Sequence, residues 1–314
     1  MRAVVIGPGG SLEVRERPDP RPGEAQILVA VRAAGLNAAD LLQRYGLYPA
    51  PPGSPPDIPG MEFAGEVVEC GPNSERFQVG DRVMAIVAGG AQAELVVVHE
   101  RQAMPVPESL SWMEAGGLPE VYTTAHDALI SQAELRSGER LCVHGAAGGV
   151  GAAAVQLGVA AGAAVTATVR SVDKREVVAA LGAQVVDPSA TVENGPYDVI
   201  LELVGASNLA PNLEALAIGG RICVIGIGAG AVGEINLGLL MTRRGRIHGS
   251  TLRARPLEGK VIAARLVESQ VLPLFEDGRL TVPIEAEFPL CDVQEAYDRF
   301  AAGGKFGKVV LTVP

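Results

Sequence analysis

The stretch that most constrains the fold runs from residue 141 to residue 170 and reads LCVHGAAGGVGAAAVQLGVAAGAAVTATVR. No Asp, Glu, Lys or Arg lies between Arg140 and Arg170. Such an uncharged segment could be a membrane span, a buried structural helix or a strand–turn–helix unit that binds a ligand. Its glycines cluster directly after a short apolar strand, where a turn is needed, and its helix is mostly Ala with little Leu, Ile or Phe. This composition disfavours a membrane span.

The soluble interpretation is a strand, a glycine turn of the form G-x-x-G-x-x-G, and a helix. Gly145 would permit a tight turn, Gly148 would let the backbone approach a phosphate, and Gly151 would allow close packing of the helix on the sheet. The helix N-terminus then presents unpaired N–H groups to an anion. Glycines used for packing alone are the alternative. The residues of this turn that we expect to contact a dinucleotide are Gly145, Ala147, Gly148, Gly149, Val150 and Gly151.

The end of the next strand indicates which dinucleotide is bound. Sites that prefer NAD place an Asp or Glu there to hold the ribose hydroxyls, and this acid would repel a 2′-phosphate. Here Val169 is followed by Arg170 and Ser171, and Lys174 comes shortly after. Two cations and a hydroxyl suit a 2′-phosphate, while Asp173 occupies a position suited to a helix N-cap. We therefore expect NADPH as the cofactor, with ordinary surface charges at a helix start as the alternative.

The pattern of the chain changes twice. Up to about residue 110, short β-rich runs separated by Pro/Gly turns predict an antiparallel β domain, and the Pro-rich segment 48–59 should be a loop. From RLCVHG onwards, strands alternate with helices, which predicts a parallel, doubly wound α/β sheet. After Gly249, the run GKVIAARLVESQVLPLFEDG predicts one long amphipathic helix, followed by a second helix and a closing strand. The simplest assembly inserts the α/β zone between two halves of one β-rich domain.

Composition excludes several classes of protein. The formal net charge of −10 disfavours an electrostatic nucleic-acid surface. The four cysteines form no C-x-x-C pair, so neither a thiolate zinc cluster nor a disulfide framework is indicated. The opening MRAVVIGPGGSLEV has the pattern of neither a secretory signal nor a transit peptide. We expect a cytoplasmic protein with no nucleic-acid or membrane partner.

Taken together, the chain resembles the zinc-independent quinone oxidoreductases of the medium-chain dehydrogenase/reductase superfamily. The segments that carry the resemblance are LNAADLLQRYGLYPAPPG, IPGMEFAGEVVECGP, VGDRVMAIVAGGAQAELVVV, LPEVYTTAHDAL, VHGAAGGVG, GSTLRARPLEGK and GKFGKVVL. The LLQR…Y and LPE segments are most similar to the branch of the p53-inducible quinone oxidoreductase. The resemblance implies a Rossmann cofactor domain at residues 118–250, inserted in a split GroES-like catalytic domain formed by residues 1–117 and 251–314.

The positions where zinc-using relatives carry metal ligands hold other residues here. Such relatives have a Cys in the loop that is Asn-Ala-Ala-Asp at residues 37–40 of this chain, and a His–Glu pair where this chain has Met61 and Glu62. Asp40 and Glu62 alone make a poor site for a metal that prefers sulfur and nitrogen ligands. The four-cysteine lobe of those relatives is replaced by AIVAGGAQAE. We therefore predict no zinc.

The resemblance also implies residue roles. Asn37 and Tyr48 would be the catalytic residues beside substrate and nicotinamide, with Tyr48 either donating a proton to the acceptor or forming an aromatic wall. Asn37 has a structural alternative, as a side chain that caps local backbone, and Thr124 has another, as a helix Thr bonded to a carbonyl. Turns that follow strands of the parallel sheet lie where a dinucleotide binds. The remaining residues expected at the cofactor are Thr124, Gly205, Gly226, Gly228, Leu252 and Lys308.

Without a metal, hydride transfer suits acceptors whose conjugation spreads the developing negative charge. The leading hypothesis is an NADPH-dependent reductase of quinones. The alternatives are a reductase of α,β-unsaturated carbonyls and a catalytically idle NADPH-binding protein. The resemblance further implies a homodimer, in which the strand RICVIGIGAG and the segment that follows it lie where relatives pair their sheets.

Overall fold

The chain divides into two compact units, and the computed structural model describes residues 1–314. The β-rich unit comprises Met1–Thr123, Leu252–Gly303 and Lys308–Pro314. The α/β unit comprises Thr124–Thr251 and Gly304–Gly307. Each unit is described by itself below.

The strands, in chain order, are β1 Arg2–Ile6, β2 Leu12–Glu16, β3 Gln26–Gly35, β4 Glu62–Cys70, β5 Arg82–Ile86, β6 Leu95–His99, β7 Met104–Pro105, β8 Arg140–Val143, β9 Ala164–Thr168, β10 Gln184–Val186, β11 Tyr197–Glu202, β12 Leu216–Val224, β13 Arg246–Gly249, β14 Ile284–Pro289 and β15 Lys308–Thr312. The α-helices are α1 Ala38–Arg44, α2 Trp112–Gly117, α3 Pro119–His126, α4 Gly149–Ala160, α5 Arg175–Ala179, α6 Leu209–Glu214, α7 Leu237–Arg243, α8 Leu257–Gln270, α9 Leu272–Glu276 and α10 Val293–Ala301. A π-helical segment, Asp127–Gln132, continues α3.

The β-rich unit is built on a seven-stranded sheet of order β14-β15-β3-β4-β5-β7, with β6 also paired to β3. All its pairings are antiparallel except that of β14 with β15. The strands β1 and β2 form a separate antiparallel pair. Apolar side chains from the sheet and from α10, among them Val29, Phe63, Leu311 and Tyr297, form the core. The Pro-rich segment 48–59 contains neither helix nor strand, as expected.

The α/β unit confirms the expected parallel sheet. Its six strands have the order β10-β9-β8-β11-β12-β13, and every pair is parallel. Numbered from β8, this is the order 3-2-1-4-5-6 of a doubly wound Rossmann sheet. Because the order reverses after β10, right-handed crossovers place the connecting helices on opposite faces. The reversal falls between β8 and β11, and ligands bind at the carboxyl ends of strands at such a switch point.

Two features concern helix length. The single long helix expected after Gly249 is wrong: α8 ends at Gln270 and α9 starts at Leu272, because Pro273 has no N–H to continue the hydrogen-bond ladder. No helix of the structure combines the length and the apolar character that crossing a bilayer requires.

Candidate active site

The glycine turn joins β8 to α4 in the α/β unit. Gly145 has φ of +63°, a backbone conformation that favours glycine. A Cβ on Gly151 would lie 2.4 Å from the carbonyl oxygen of Gly145, so the turn can press against the helix only when residue 151 is glycine. Gly148 is the N-cap of α4 and offers no capping side chain. The first turn of α4 therefore has no side-chain cap, and its N–H groups can face an anion.

The residues expected at this turn are brought together and can be reached by a ligand. Gly145 is exposed, and Ala147, Gly148, Gly149 and Val150 are half-buried. The segment 304–307 contacts the turn from within the same unit, because the Gly307 N–H donates to the Ala147 carbonyl at 2.9 Å. The donors that remain at the start of α4 fit the pyrophosphate of a dinucleotide.

The basic residues that follow β9 are arranged at the surface. Arg170 is exposed and has no ion-pair partner, while Ser171 and Lys174 are half-buried. The Lys174 ammonium lies 3.7 Å from the Asp173 carboxylate. Asp173 is inside a short 3₁₀ turn whose N-cap is Ser171, so the expected N-cap role of Asp173 is wrong. The Arg170 guanidinium, which has no ion-pair partner, and the Ser171 hydroxyl therefore both lie just after the carboxyl end of β9.

Two of the three other glycines, Gly205 and Gly226, lie in turns that pack against each other. The turn after β11 contains Gly205, with φ of +135°, and the turn after β12 contains Gly226. A Cβ on Gly226 would lie 2.1 Å from the carbonyl oxygen of Leu203, so the two turns pack backbone against backbone. Gly228 is exposed and a Cβ there would meet only the Val204 carbonyl at 3.9 Å. Close packing therefore requires glycine at 205 and 226 but not at 228.

Lys308 and Asn37 belong to one buried cluster of the β-rich unit. The Lys308 ammonium, whose residue is 2% exposed, donates to Glu62 Oε1 at 2.6 Å, Asn37 Oδ1 at 2.8 Å and the Leu36 carbonyl at 2.7 Å. These acceptors use all three of its N–H donors. Glu62 is fully buried and also accepts from the Glu120 N–H at 2.8 Å. The Lys308 ammonium and the Glu62 carboxylate are thus paired and hydrogen-bonded, and either charge buried without these partners would be strongly destabilising.

The Asn37 side chain is engaged at every polar atom. Its Nδ2 donates to Glu62 at 2.9 Å and to the Gly35 carbonyl at 3.4 Å, and its Oδ1 accepts from Lys308. Its backbone N–H donates to Asp40 Oδ2 at 2.8 Å at the start of α1. Burial raises the pKa of Asp40 to about 6, although bonds from Asn37 and Gly60 oppose the shift. A substrate contact by Asn37 would have to replace one of these bonds.

Tyr48 is held by an arginine that sequence reasoning did not single out. Arg253 donates to the Tyr48 carbonyl at 2.9 Å, to the Ala88 carbonyl at 2.9 Å and to Gln43 Oε1. Its guanidinium carbon also lies 5.0 Å from the centre of the Tyr48 ring. The Tyr48 hydroxyl bonds no protein group, which leaves it able to donate to a ligand. The signal was present in the quoted segment TLRAR, but nothing in that segment distinguishes Arg253 from Arg255.

The two other expected cofactor residues are less informative. Thr124 is buried within α3, in the α/β unit, and Leu252 is half-buried in the β-rich unit. Leu252 lines a cavity of about 20 Å³ together with Met104 and Lys260, and burial lowers the pKa of Lys260. Sequence reasoning also did not single out Glu202 and Asn212, two buried residues of the α/β unit that are joined by a hydrogen bond of 2.7 Å. The signal for Glu202 was a lone acid within the apolar run VILELVG.

Known proteins match the whole chain. Family models for the alcohol dehydrogenase GroES-like domain and for zinc-binding dehydrogenases match residues 23–108 and 172–311. Human quinone oxidoreductase is 32% identical over 99% of this chain and 97% of that protein. A mycocerosic acid synthase-like polyketide synthase of Mycobacterium tuberculosis is 33% identical over 93% of this chain, which spans only 14% of that protein's length. The crystal structure of a Pseudomonas syringae quinone oxidoreductase has a TM-score of 0.87 at 28% identity and covers 99% of both chains.

The zinc named by the second family model does not fit the residues present. No group of three or more His, Cys, Asp and Glu side chains is arranged to hold a metal ion. The oxygens of Asp40 and Glu62 are already bonded to backbone N–H groups and to the Lys308 ammonium. A divalent cation there would displace or repel that ammonium.

The expected fold class is confirmed by these matches, which assign the GroES-like domain to the β-rich unit and extend over the parallel sheet of the α/β unit. The identity with human quinone oxidoreductase extends over nearly the full length of both chains. The chain therefore belongs to the quinone oxidoreductase-like family of the medium-chain dehydrogenase/reductase superfamily.

Proposed function

We propose that the protein is an NADPH-dependent, zinc-independent oxidoreductase that reduces quinones. The observation that carries the proposal is the full-length similarity to a quinone oxidoreductase in a chain that keeps an open glycine turn at the N-terminus of α4. NADPH, when bound, would supply the hydride. Conjugated acceptors suit this chemistry because they spread the negative charge that arrives with the hydride.

The α/β unit would hold the cofactor through its charge pattern. The N–H groups in the first turn of α4, which has no side-chain cap, would bind the pyrophosphate. Arg170, Ser171 and Lys174 would bind the 2′-phosphate, with Arg170 the strongest contributor because it is exposed and has no ion-pair partner. NADH-selective sites have an Asp or Glu at the end of this strand, whereas this chain has Arg170 and Ser171 there.

The β-rich unit would supply the acceptor side. The unpartnered Tyr48 hydroxyl would donate a hydrogen bond or a proton to the quinone oxygen as the hydride arrives. Arg253 would fix the position of Tyr48 through the bond to its carbonyl and through contact with its ring. Asn37 would act indirectly, by holding Lys308 and Glu62 in place.

Steady-state rates with two acceptors test the choice of substrate. We expect NADPH oxidation to be faster with 9,10-phenanthrenequinone than with a simple enone at equal concentration. Similarity to the polyketide synthase favours, as the second candidate, a reductase of α,β-unsaturated carbonyl compounds, and a clear preference for the enone would establish it. If NADPH binds and neither acceptor accelerates its oxidation, the protein is a catalytically idle binder.

A homodimer is part of the proposal. The edge strand β13 has an open side, and the segment before it carries strongly exposed apolar residues, including Val232 at 92% and Met241 at 76%. Pairing two copies there would cover both features. Light scattering at micromolar concentration should show a dimer for the native chain and a monomer for Met241→Glu. A monomeric native chain would contradict the proposal.

The proposed location is the cytoplasm. All four cysteines are free, which fits a reducing compartment. The net charge of −10 fits a small-molecule enzyme with no nucleic-acid partner.

A further inference from the structure

A buried series of hydrogen bonds connects the ends of three neighbouring strands in the α/β unit. Thr168 ends β9, His144 follows β8, and Glu202 ends β11, while Asn212 lies on α6. The Thr168 hydroxyl is 3.0 Å from His144 Nδ1, and His144 Nε2 is 2.7 Å from Asn212 Oδ1. Asn212 Nδ2 donates to Glu202 Oε2 at 2.7 Å. None of the four residues is more than 3% exposed, so none can touch a cofactor directly.

The direction of every bond follows from the carboxylate. Glu202 only accepts, so Asn212 must present its amide N–H to Glu202 and its oxygen to His144. His144 Nε2 therefore carries the proton, and its Nδ1 accepts from the Thr168 hydroxyl. Burial lowers the pKa of His144, although Glu202 and Asn212 oppose the shift, and a lowered pKa favours the neutral ring. The series is consistent with a single protonation state.

The Glu202 end of the series is bonded to one turn that the proposed function assigns to the cofactor, and His144 and Thr168 adjoin two more in the chain. Glu202 Oε1 accepts from the backbone N–H groups of Val204 at 2.6 Å and Gly205 at 2.8 Å. The Glu202 carbonyl accepts from Gly226 at 3.0 Å. His144 directly precedes Gly145, and Thr168 precedes Arg170 by two residues.

We propose that Thr168, His144, Asn212 and Glu202 are positioning residues for NADPH binding. Their hydrogen bonds hold the turns at Gly145, Gly205 and Arg170 in one fixed geometry, so that pyrophosphate and 2′-phosphate are bound together. The proposal rests on the proposed function, because the turns matter only if they bind the dinucleotide.

Two variants remove bonds at different points. Asn212→Leu leaves His144 and Glu202 without their partner, and Thr168→Val removes one hydroxyl with little change in shape. We expect the NADPH dissociation constant, measured by fluorescence titration, to rise about tenfold for Asn212→Leu and about threefold for Thr168→Val. The KM for NADPH should rise with the dissociation constant, while kcat and the KM for quinone stay within about twofold. The reason is that an interaction present equally in the ground state and in the transition state affects cofactor binding and not the rate of the chemical step. Thr191→Val is the control, since it removes a buried hydroxyl bond of 2.7 Å elsewhere in the same unit and should not change NADPH affinity.

The His144 ring gives an independent readout of the inferred bond directions, while the change in NADPH affinity at unchanged kcat distinguishes positioning from a merely structural role. Long-range ¹H–¹⁵N spectra of the native protein should show a neutral ring protonated at Nε2, and Thr168→Val should alter the Nδ1 signal. A ring protonated at Nδ1 would overturn the inferred bond directions. If Asn212→Leu and Thr168→Val bind NADPH like the native chain, the positioning role is wrong while the proposed function stands. If the native chain does not bind NADPH, both proposals fail.

Discussion

Replacing Lys308 with Met tests the buried cluster of the β-rich unit. The substitution keeps the side-chain length and removes the ammonium, which leaves the fully buried Glu62 carboxylate without its cation. Breaking a buried pair in this way typically costs about 3–5 kcal/mol. Glu62 keeps its bonds from Asn37 and Glu120, so we expect a loss near the lower limit, about 3 kcal/mol. Urea unfolding followed by fluorescence measures it, because the single tryptophan, Trp112, lies on α2 in the same unit.

The double variant Lys308→Met with Glu62→Gln is the matched control. Removing both charges leaves no uncompensated ion, so the double variant should be more stable than Lys308→Met alone by about 1–2 kcal/mol. A loss below about 1 kcal/mol for Lys308→Met would refute the reasoning, because it would mean that the ammonium does little to stabilise the carboxylate. A double variant that is less stable than Lys308→Met alone would also refute the reasoning.

Three further substitutions address the cofactor, the acceptor and pH. Arg170→Glu should lower kcat/KM for NADPH about 10–100-fold and leave NADH nearly unchanged, whereas Arg136→Ala, an exposed arginine at the other end of β8, should change neither. Tyr48→Phe should lower kcat for quinone at least about tenfold with stability unchanged within about 0.5 kcal/mol, and an unchanged kcat would identify Tyr48 as an aromatic wall. The pKa of Asp40 is about 6 in the folded chain against an ordinary 3.8, so its contribution to stability is present below pH 4 and is lost as pH rises through 6. Asp40→Asn should flatten that part of the curve of unfolding free energy against pH, and a slope like that of the native chain would contradict the assignment.

The α/β unit was predicted well from the sequence because the residues that indicate its strands, turns and helices follow one another in the chain. The glycine turn and α4 are marked by a strand, three spaced glycines and an uncharged helix that follow one another directly in the chain. The alternation of strands and helices then implies a parallel sheet, since parallel strands need long crossovers. The break between α8 and α9 was also marked locally, by Pro273, but the apolar periodicity on both sides obscured it.

The contacts of the candidate site were harder to predict because they join distant parts of the chain. Lys308 meets Glu62 across 246 positions, and Arg253 meets Tyr48 across 205. No periodicity or spacing relates residues so far apart. Lys308 was expected near the cofactor, but the structure shows its three donors occupied by Leu36, Asn37 and Glu62. The bonds between His144, Asn212 and Glu202 depend in the same way on which strands become neighbours in the sheet.

A single-turnover experiment tests the central claim most directly. The protein is loaded with NADPH, freed of metal by a chelator and mixed with 9,10-phenanthrenequinone, and oxidation of the bound cofactor is followed. We predict stoichiometric oxidation of NADPH that is unaffected by the chelator. Bound NADPH that stays reduced, or activity that is lost with the chelator and restored by zinc, would contradict the account.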